Sequence, residues 1–466
     1  MILQQYYLGC LSHASYLVAD EESKVAAVVD PQRDVDQYLS DAKAKGLTIR
    51  YVLLTHFHAD FAAGHLELRE ATGAEIAMGR AGRAEFPVRS LADGDELALG
   101  RVRIRALETP GHTPESLCFL VFDDAKDATK PAAVLTGDTL FVGDVGRPDL
   151  LVAAGRSAEE LARDLYHSTR KKLLPLPDET LVYPAHGAGS MCGKNLGSET
   201  FSTIGAQRKL NLALQPMDER TFVEMVTHDQ PEAPGYFAFD ASFNKTNHST
   251  LPAVLERALV PRSLAESLQL AAQGAVLLDV RNAPEFAASH LAGSINVALS
   301  GKFATWSGSV VRPEEPVLLI ADPGKEREAA TRLARIGYDR MVGFLEGGPT
   351  KALQLRPDLK RSSRRLTVAD LKSELASASA PIVVDVRAAG ERAAGSITGS
   401  LHVALHLLRE RMSEIPRDRP VVLQCAGGVR SMIAMSLLER AGYSNVRDLV
   451  GGYSAWHAAA SPFGSS

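Results

Sequence analysis

Hydrophobic and polar positions along this chain keep two periods that alternate in blocks. Over residues 1–30 apolar and polar residues alternate, the period of strands, as far as Asp30-Pro31. Residues 36–45 take up the helical period and close at Gly46. The apolar run Tyr51-Val52-Leu53-Leu54 is short enough for a buried strand, and residues 61–71 continue as a helical pattern stopped by Gly73. Strand patterns return over 74–78, 102–107 and 116–121, the last placing Cys118 in the core. Residues 231–247 contain Pro and Gly and end in polar positions, which marks the end of a first domain.

Beyond that point the pattern repeats. Leu277-Leu278-Asp279-Val280-Arg281 returns as Val383-Val384-Asp385-Val386-Arg387, and Gly293-Ser294-Ile295-Asn296-Val297 as Gly399-Ser400-Leu401-His402-Val403, both at an offset of 106 residues (279 to 385, 293 to 399). Each copy alternates strand and helix signals, which predicts two small α/β domains with mainly parallel sheets. The basic, polar stretch from Arg356 to Arg365 between the copies reads as a solvated linker.

Composition narrows the class. A length of 466 residues suggests about three domains. Hydrophobic content of 45% and charged content of 23% are ordinary for a globular protein. The net charge of -5 carries no concentrated basic patch, so nucleic acid is not an expected partner. No run reaches the ~18 apolar residues of a membrane span, and the N-terminus lacks a basic n-region and an apolar h-region. Four scattered cysteines, Cys10, Cys118, Cys192 and Cys425, form no disulfide framework. The expectation is a cytoplasmic enzyme, with no membrane partner.

Candidate chemistry sits where strand-like runs end. Residues 51–54 lead to His56, 104–107 to His112, 132–135 to Asp138 and 181–183 to His186. Such a set converges only if the strands lie side by side with their loops at one edge. In His56-Phe57-His58-Ala59-Asp60, two imidazoles and a carboxylate share five residues on a strand-to-helix loop, where a rigid scaffold can hold them for a metal. In the second repeat, the run Pro420-Val421-Val422-Leu423-Gln424 leads into Cys425-Ala426-Gly427-Gly428-Val429-Arg430-Ser431 and then a helix. A cysteine on a glycine loop at a helix N-terminus has backbone N–H groups aimed at its sulfur, which favours thiolate and would cradle a bound anion. The first repeat has Ala321 at the matching register and no cysteine anywhere.

Three other residues carry open alternatives. Arg147 either holds an anionic substrate tail by its bidentate fork or is an ordinary exposed arginine. Cys192 either faces the site or is a buried, inert thiol. Tyr183 is read as structural, with a hydroxyl that can still reach a partner beside the site. Cys10 and His13 are also read as structural.

The four loop motifs, His56-Phe57-His58-Ala59-Asp60, Thr109-Pro110-Gly111-His112-Thr113, Thr136-Gly137-Asp138-Thr139-Leu140 and Tyr183-Pro184-Ala185-His186, resemble the metallo-β-lactamase superfamily in order and spacing over about residues 1–245. The resemblance implies an αββα sandwich with its site at one sheet edge. Two-metal members carry a histidine directly after the Asp of the first motif, where this chain has Phe61. That leaves Asp60, Asp138 and His186 as a poor set for a second ion and implies one metal, held by His56, His112 and Asp138. Zinc with one open position and non-haem Fe(II) with several both fit that triad. The choice turns on whether His58 coordinates or supports.

The Cys425 loop and the Asp-Val-Arg motif resemble a rhodanese sulfurtransferase over about residues 366–460. The resemblance implies Cys425 as the persulfide-carrying nucleophile, Ala426, Gly427, Gly428 and Val429 as its loop, and Arg430 as the brace. Members active on thiosulfate often have a basic residue after the Cys, and Ala426 departs from that. The first repeat is then a silent rhodanese-like domain. The expected domains are 1–245, 262–355 and 366–466.

Together the parts resemble the persulfide dioxygenase–sulfurtransferase fusions. The resemblance implies one Fe(II) per chain, with zinc as the alternative. It also implies oxidation of a low-molecular-weight persulfide (of glutathione, coenzyme A or cysteine) by O₂ to sulfite and thiol, exchange of sulfite and thiosulfate at Cys425, and a homo-oligomer. The alternatives are a mononuclear zinc thioester hydrolase of the glyoxalase II kind and a sulfur carrier or sensor.

Overall fold

Leu117–Asp123 is buried at every position, yet its side chains alternate between two different cores. Leu117, Phe119 and Val121 join one cluster, while Cys118, Leu120 and Phe122 join another. A strand with period two can do this only inside a layered structure covered on both faces. The fold is that of a computed structural model, which describes residues 1–150 and 155–460. It has two compact units, Met1–Leu251 with Arg335–Gly337, and Pro252–Ala334 with Tyr338–Ser466.

The first unit holds two six-stranded sheets. One comprises β1 (Ile2–Leu8), β2 (His13–Ala19), β3 (Val25–Val29), β4 (Thr48–Leu53), β5 (Glu75–Gly79) and β6 (Arg89–Leu91), hydrogen-bonded in that order. The other comprises β7 (Glu96–Ala98), β8 (Val102–Glu108), β9 (Leu117–Asp123), β10 (Ala133–Gly137), β11 (Leu181–Pro184) and β12 (Ser202–Thr203), in the order β12-β11-β10-β9-β8-β7. Tyr16, Val29, Tyr51 and Leu53 of the first sheet meet Ile104, Phe119, Val121 and Leu135 of the second in the inner core. The outer face of the second sheet is covered by Leu165 and Phe222, from the helices Ala158–Ser168 and Glu219–Thr227. Helices α1 (Asp36–Lys45) and α2 (His65–Thr72) connect strands of the first sheet. This is the expected αββα sandwich.

α1 spans the predicted residues and ends on Gly46 in the left-handed region, φ 63°, a conformation that costs glycine nothing. Two expectations are corrected in this unit. β4 lies in the first sheet and β8, β10 and β11 in the second, so the four site-bearing strands converge across the sandwich and not side by side. α2 begins at His65, four residues beyond the predicted start, because Phe61 and its neighbours are drawn into the loop that carries the histidines.

The second unit holds two parallel five-stranded sheets. With β13 (Pro261–Arg262), β14 (Val276–Asp279), β15 (His290–Leu291), β16 (Ile295–Asn296), β17 (Val317–Ile320) and β18 (Met341–Leu345), the first runs β13-β18-β17-β14-β16. With β19 (Lys360–Arg361), β20 (Arg364–Leu366), β21 (Ile382–Asp385), β22 (Leu401–His402), β23 (Val421–Gln424) and β24 (Val446–Leu449), the second runs β20-β24-β23-β21-β22. The two orders are one permutation, the structural form of the sequence repeat. The stretch read as a solvated linker is instead paired at both ends: β19 joins β15 antiparallel, and β20 joins β24 in parallel. Strands of two and three residues are too short to show a period, so charge alone misled the reading. Among the described residues, no helix is long and apolar enough to cross a membrane.

Candidate functional site

The histidine loop leaves β4 through Thr55, whose backbone N–H and hydroxyl both donate to the Asp30 carboxylate at 2.8 and 2.7 Å. The Thr55 carbonyl accepts from Leu117 N–H at 2.8 Å and so ties this loop to the start of β9 in the opposite sheet. Gly137, at φ 51°, lets the turn after β10 approach Thr55, where a Cβ would stand 2.6 Å from Oγ1. Across the loop Asn244, fully buried, donates from Nδ2 to the carbonyls of His58 and Phe61, each at 2.8 Å, and accepts from Ala63 N–H at 2.8 Å.

These supports bring His56, His58, Asp60, His112, Asp138 and His186 into one buried cluster. Asp138 is its centre: Oδ2 lies 3.4 Å from His112 Nε2 and 3.9 Å from His56 Nε2, and Oδ1 lies 3.6 Å from His186 Nε2. His186 Nε2 is also 3.5 Å from Asp60, and His58 Nε2 is 3.1 Å from Asp30. The far ring nitrogens are held by oxygen partners: His112 Nδ1 by the Arg147 carbonyl at 2.8 Å, His186 Nδ1 by the Ser12 carbonyl at 3.2 Å, and His56 Nδ1 by Thr55 Oγ1 at 3.0 Å. Partners of that kind turn the other nitrogen inward, the arrangement of metal-binding imidazoles.

Burial and the neighbouring imidazoles hold His56 well below the usual imidazole range, so it stays neutral. For His58, burial acts in the same direction, but the carboxylates of Asp30, Asp138 and Asp60, with Asp30 foremost, together outweigh it and raise the ring. Burial raises the Asp60 carboxyl.

The residues fit a metal ion. Neither oxygen of Asp138 meets an aligned hydrogen-bond donor among the described residues, and the same holds for Asp60 Oδ1 and His186 Nε2. Buried carboxylate oxygens without donors cost several kcal/mol unless a cation neutralises them. Three sets have ligand atoms within 4.8 Å of one another: His56, His58 and Asp138; His58, Asp60 and His186; and Asp138, His186 and Cys192. His112 reaches the cluster through Asp138 and stands outside these sets.

In the second unit, Cys425 follows β23 and is buried, and its sulfur accepts the Gly428 N–H at 3.1 Å. Gly428, at φ 100°, turns the chain into the helix Val429–Arg440. Ser431 Oγ lies 3.5 Å from the sulfur. Tyr453 and Ser454 N–H bond to the Cys425 and Ala426 carbonyls at 2.7 and 3.0 Å, while Gly427 and Val429 are exposed. A Cβ at Gly452 would stand 2.2 Å from the Cys425 carbonyl, so the loop is clamped from behind.

Comparison with known proteins places both units. Residues 8–186 match the metallo-beta-lactamase superfamily, and 263–353 and 367–459 each match the rhodanese-like domain. The human mitochondrial persulfide dioxygenase ETHE1 is 30% identical over 215 residues, covering 45% of this chain and 75% of that protein. A probable metallo-hydrolase of Burkholderia pseudomallei is 36% identical over 219 residues, 40% of this chain and 72% of that one. A solved metallo-beta-lactamase of Staphylococcus aureus superposes with a TM-score of 0.65 at 31% identity, over 74% of this chain and 98% of its own. The chain belongs to the metallo-beta-lactamase superfamily, with two rhodanese-like domains behind it.

Within the metallo-beta-lactamase domain the remaining predicted residues lie close to the cluster but differ in their surroundings. Arg147 is not exposed: its guanidinium grips Asp149 through two bonds of 2.7 Å and donates to the Met191 carbonyl at 3.2 Å, while its own carbonyl holds His112. Cys192 faces the cluster, and burial together with Asp60 and Asp138 pushes its thiol well above the usual range. Tyr183 packs edge-on to Tyr16 and stacks on Phe201. In the second rhodanese-like domain, Arg430 pairs with Glu391 at 2.6 and 2.7 Å.

Sequence reasoning missed four residues. His13, read as structural, is fully buried beside the cluster, 3.9 Å from the Phe61 ring and 5.6 Å from the His58 and His186 rings. Asp30 supports His58 and Thr55, and its place at a strand end before Pro31 was the available signal. Glu115 takes the Phe57 N–H at 3.3 Å. Asn244 lies within the stretch read as a domain end, where no local pattern announces a contact 180 residues away.

Proposed function

We propose that the chain is a persulfide dioxygenase coupled to a sulfurtransferase, with its work divided among residues 1–245, 262–355 and 366–466. The observation that carries this reading is the presence on one chain of a buried His/Asp cluster whose central carboxylate has no aligned donor among the described residues and a rhodanese-type Cys425 whose sulfur takes a backbone N–H. Persulfide dioxygenase relatives support the same assignment.

His56, His112 and Asp138 would hold a single iron, with His58, Asp60 and His186 around them. A ferrous ion bound there supplies the one-electron chemistry by which O₂ reacts with a sulfane sulfur. The balance is RSSH + O₂ + H₂O → RSH + SO₃²⁻ + 2H⁺. The chain's residues keep the reactants in place and dry: the Arg147 and Ser12 carbonyls fix the His112 and His186 rings, and Phe61 and His13 close the apolar side. Arg147 engages an anionic substrate tail only by exchange with Asp149.

At Cys425, attack of the thiolate on a carrier persulfide, RSSH, gives RSH and the Cys425 persulfide. Sulfite then takes the outer sulfur as thiosulfate and restores the thiolate. The Gly428 N–H stabilises the thiolate leaving group.

The test is Cys425→Ser, since a hydroxyl of similar size cannot carry sulfane sulfur. From persulfide and O₂ the wild type forms thiosulfate, and the variant accumulates free sulfite instead. An unchanged thiosulfate yield moves the transfer role to Cys192. A second reading, a zinc thioester hydrolase, draws on His58, Asp60 and His186, whose ligand atoms lie within 4.8 Å of one another and offer a second pole. Thioester turnover without O₂ uptake identifies it.

A further inference from the structure

The first rhodanese-like domain lacks a cysteine, and Ala321 stands where Cys425 stands in the second. Its contacts give it a task. The helix Val429–Arg440, which starts from the Cys425 loop, is buried continuously from Ser431 to Leu438. A helix buried all round needs partners on more than its own sheet. Its own domain supplies β23 and β24, and the Cys-less repeat supplies the rest.

Three contacts run along the helix from that side. In its first turn the Arg430 guanidinium lies over the ring of Trp306, 5.3 Å from the centroid. Trp306 belongs to the helix Phe303–Val310 of the Cys-less repeat. In the middle, Ser436 Oγ accepts the backbone N–H of Asn296 at 3.0 Å. In the last turn Glu439 meets His290 at 3.6 Å. Beside the helix, Arg409 binds Glu315 of the Cys-less repeat through two bonds of 2.6 and 2.7 Å.

The first contact bears on chemistry. Arg430 is held from two sides, by the Glu391 carboxylate through two hydrogen bonds and by the Trp306 indole, over whose ring its charge lies. Glu391 keeps 38% of its side chain exposed, and an exposed ion pair alone fixes an arginine weakly. The Arg430 side chain itself is only 14% exposed, and an indole beneath its charge adds a second restraint to the pair. Burial lowers Arg430, and the Glu391 carboxylate leads the neighbours that outweigh it and raise the guanidinium, with the Cys425 sulfur and Asp385 also within its field.

We propose that the Cys-less repeat completes the sulfur-transfer site, with Trp306 as a positioning residue that seats Arg430 beside the Cys425 loop. This rests on the sulfurtransferase reading of Cys425, and the test keeps the two apart. In the full chain, the thiolate of Cys425 is titrated by its ultraviolet absorbance, as the difference between each protein and the same protein carrying Cys425→Ser. Trp306→Leu keeps apolar volume without a π face, and Trp306→Phe keeps the face.

The expected result is a midpoint displaced to higher pH in Trp306→Leu, with roughly threefold less thiolate at a fixed pH below it. Trp306→Phe recovers most of that loss. In an Arg430→Met background, Trp306→Leu adds no further change. A wild-type midpoint in Trp306→Leu overturns the proposal, as does a loss of equal size without Arg430, which would place the effect in packing alone. Sulfur transfer from a persulfide donor is measured on the wild type separately. If it is absent, the sulfurtransferase reading fails while the titration still decides the role of Trp306.

Discussion

Replacing Asn244 with alanine is the sharpest probe of how the histidine loop is held. The side chain makes three bonds of 2.8 Å to a segment that has no regular secondary structure of its own. Removing it leaves the Ala63 N–H without its acceptor, at about 2 kcal/mol for a buried donor, and weakens two carbonyls at about 0.5–1 kcal/mol each. The sum is about 3–4 kcal/mol, spent on opening the loop and not on the sandwich core, which Asn244 does not enter. At 1.4 kcal/mol per decade, local opening becomes roughly two to three decades more frequent. Peptide-resolved hydrogen exchange over residues 56–63 reads this directly, and the dissociation rate of a loaded metal should rise in parallel. If exchange of that segment stays within about threefold of wild type, the loop is held by its other contacts and the assignment of Asn244 is wrong.

Two further predictions follow from the same geometry. His56→Ala should abolish persulfide-dependent O₂ consumption while sulfur transfer at Cys425 persists, because the metal cluster and the Cys425 loop share no residue; loss of both activities in a folded variant refutes the division. Burial raises Glu439 from 4.5 to about 7, so its native form binds a proton more tightly than its unfolded form, and stability falls as pH rises from about 4.5 through 7, by up to about 3 kcal/mol. His290, lowered to about 4 by burial, is neutral across that window, so their contact is not an ion pair there. Glu439→Gln should reduce the slope in urea unfolding followed by tryptophan fluorescence, which reports the second unit because Trp306 and Trp456 both lie in it; an unchanged slope refutes the assignment.

What was legible in the sequence was local or periodic. α1 and its glycine cap, the paired Asp-Val-Arg strands and the loop histidines each announce themselves within a few residues, and the family resemblance of the loop motifs implied the sandwich. What was not legible depends on contacts distant in the chain. Four metal-type residues at strand ends suggested neighbouring strands, but a sandwich can bring loops together from facing sheets just as well. His13 sits in a strand buried at every position, where nothing distinguishes a core histidine from one beside a metal cluster. Asn244 bonds to residues 181 to 186 positions away, and Trp306 meets Arg430 in the other repeat, partners that no period connects to them. The short strands β19 and β20 show too few residues for a period, and their basic composition concealed both the pairing and the ion pair by which Arg365 of β20 holds the buried Asp448 of β24.

The central claim, one iron and persulfide oxidation, is tested most directly on a single preparation expressed with iron supplied and given glutathione persulfide. Its metal content, O₂ uptake and sulfite formation are read together, with sulfite trapped before it can meet Cys425. The account predicts one iron per chain and O₂ consumed in equal amount to the sulfite formed. Two zinc ions per chain, with thioester hydrolysis and no O₂ uptake, would contradict it.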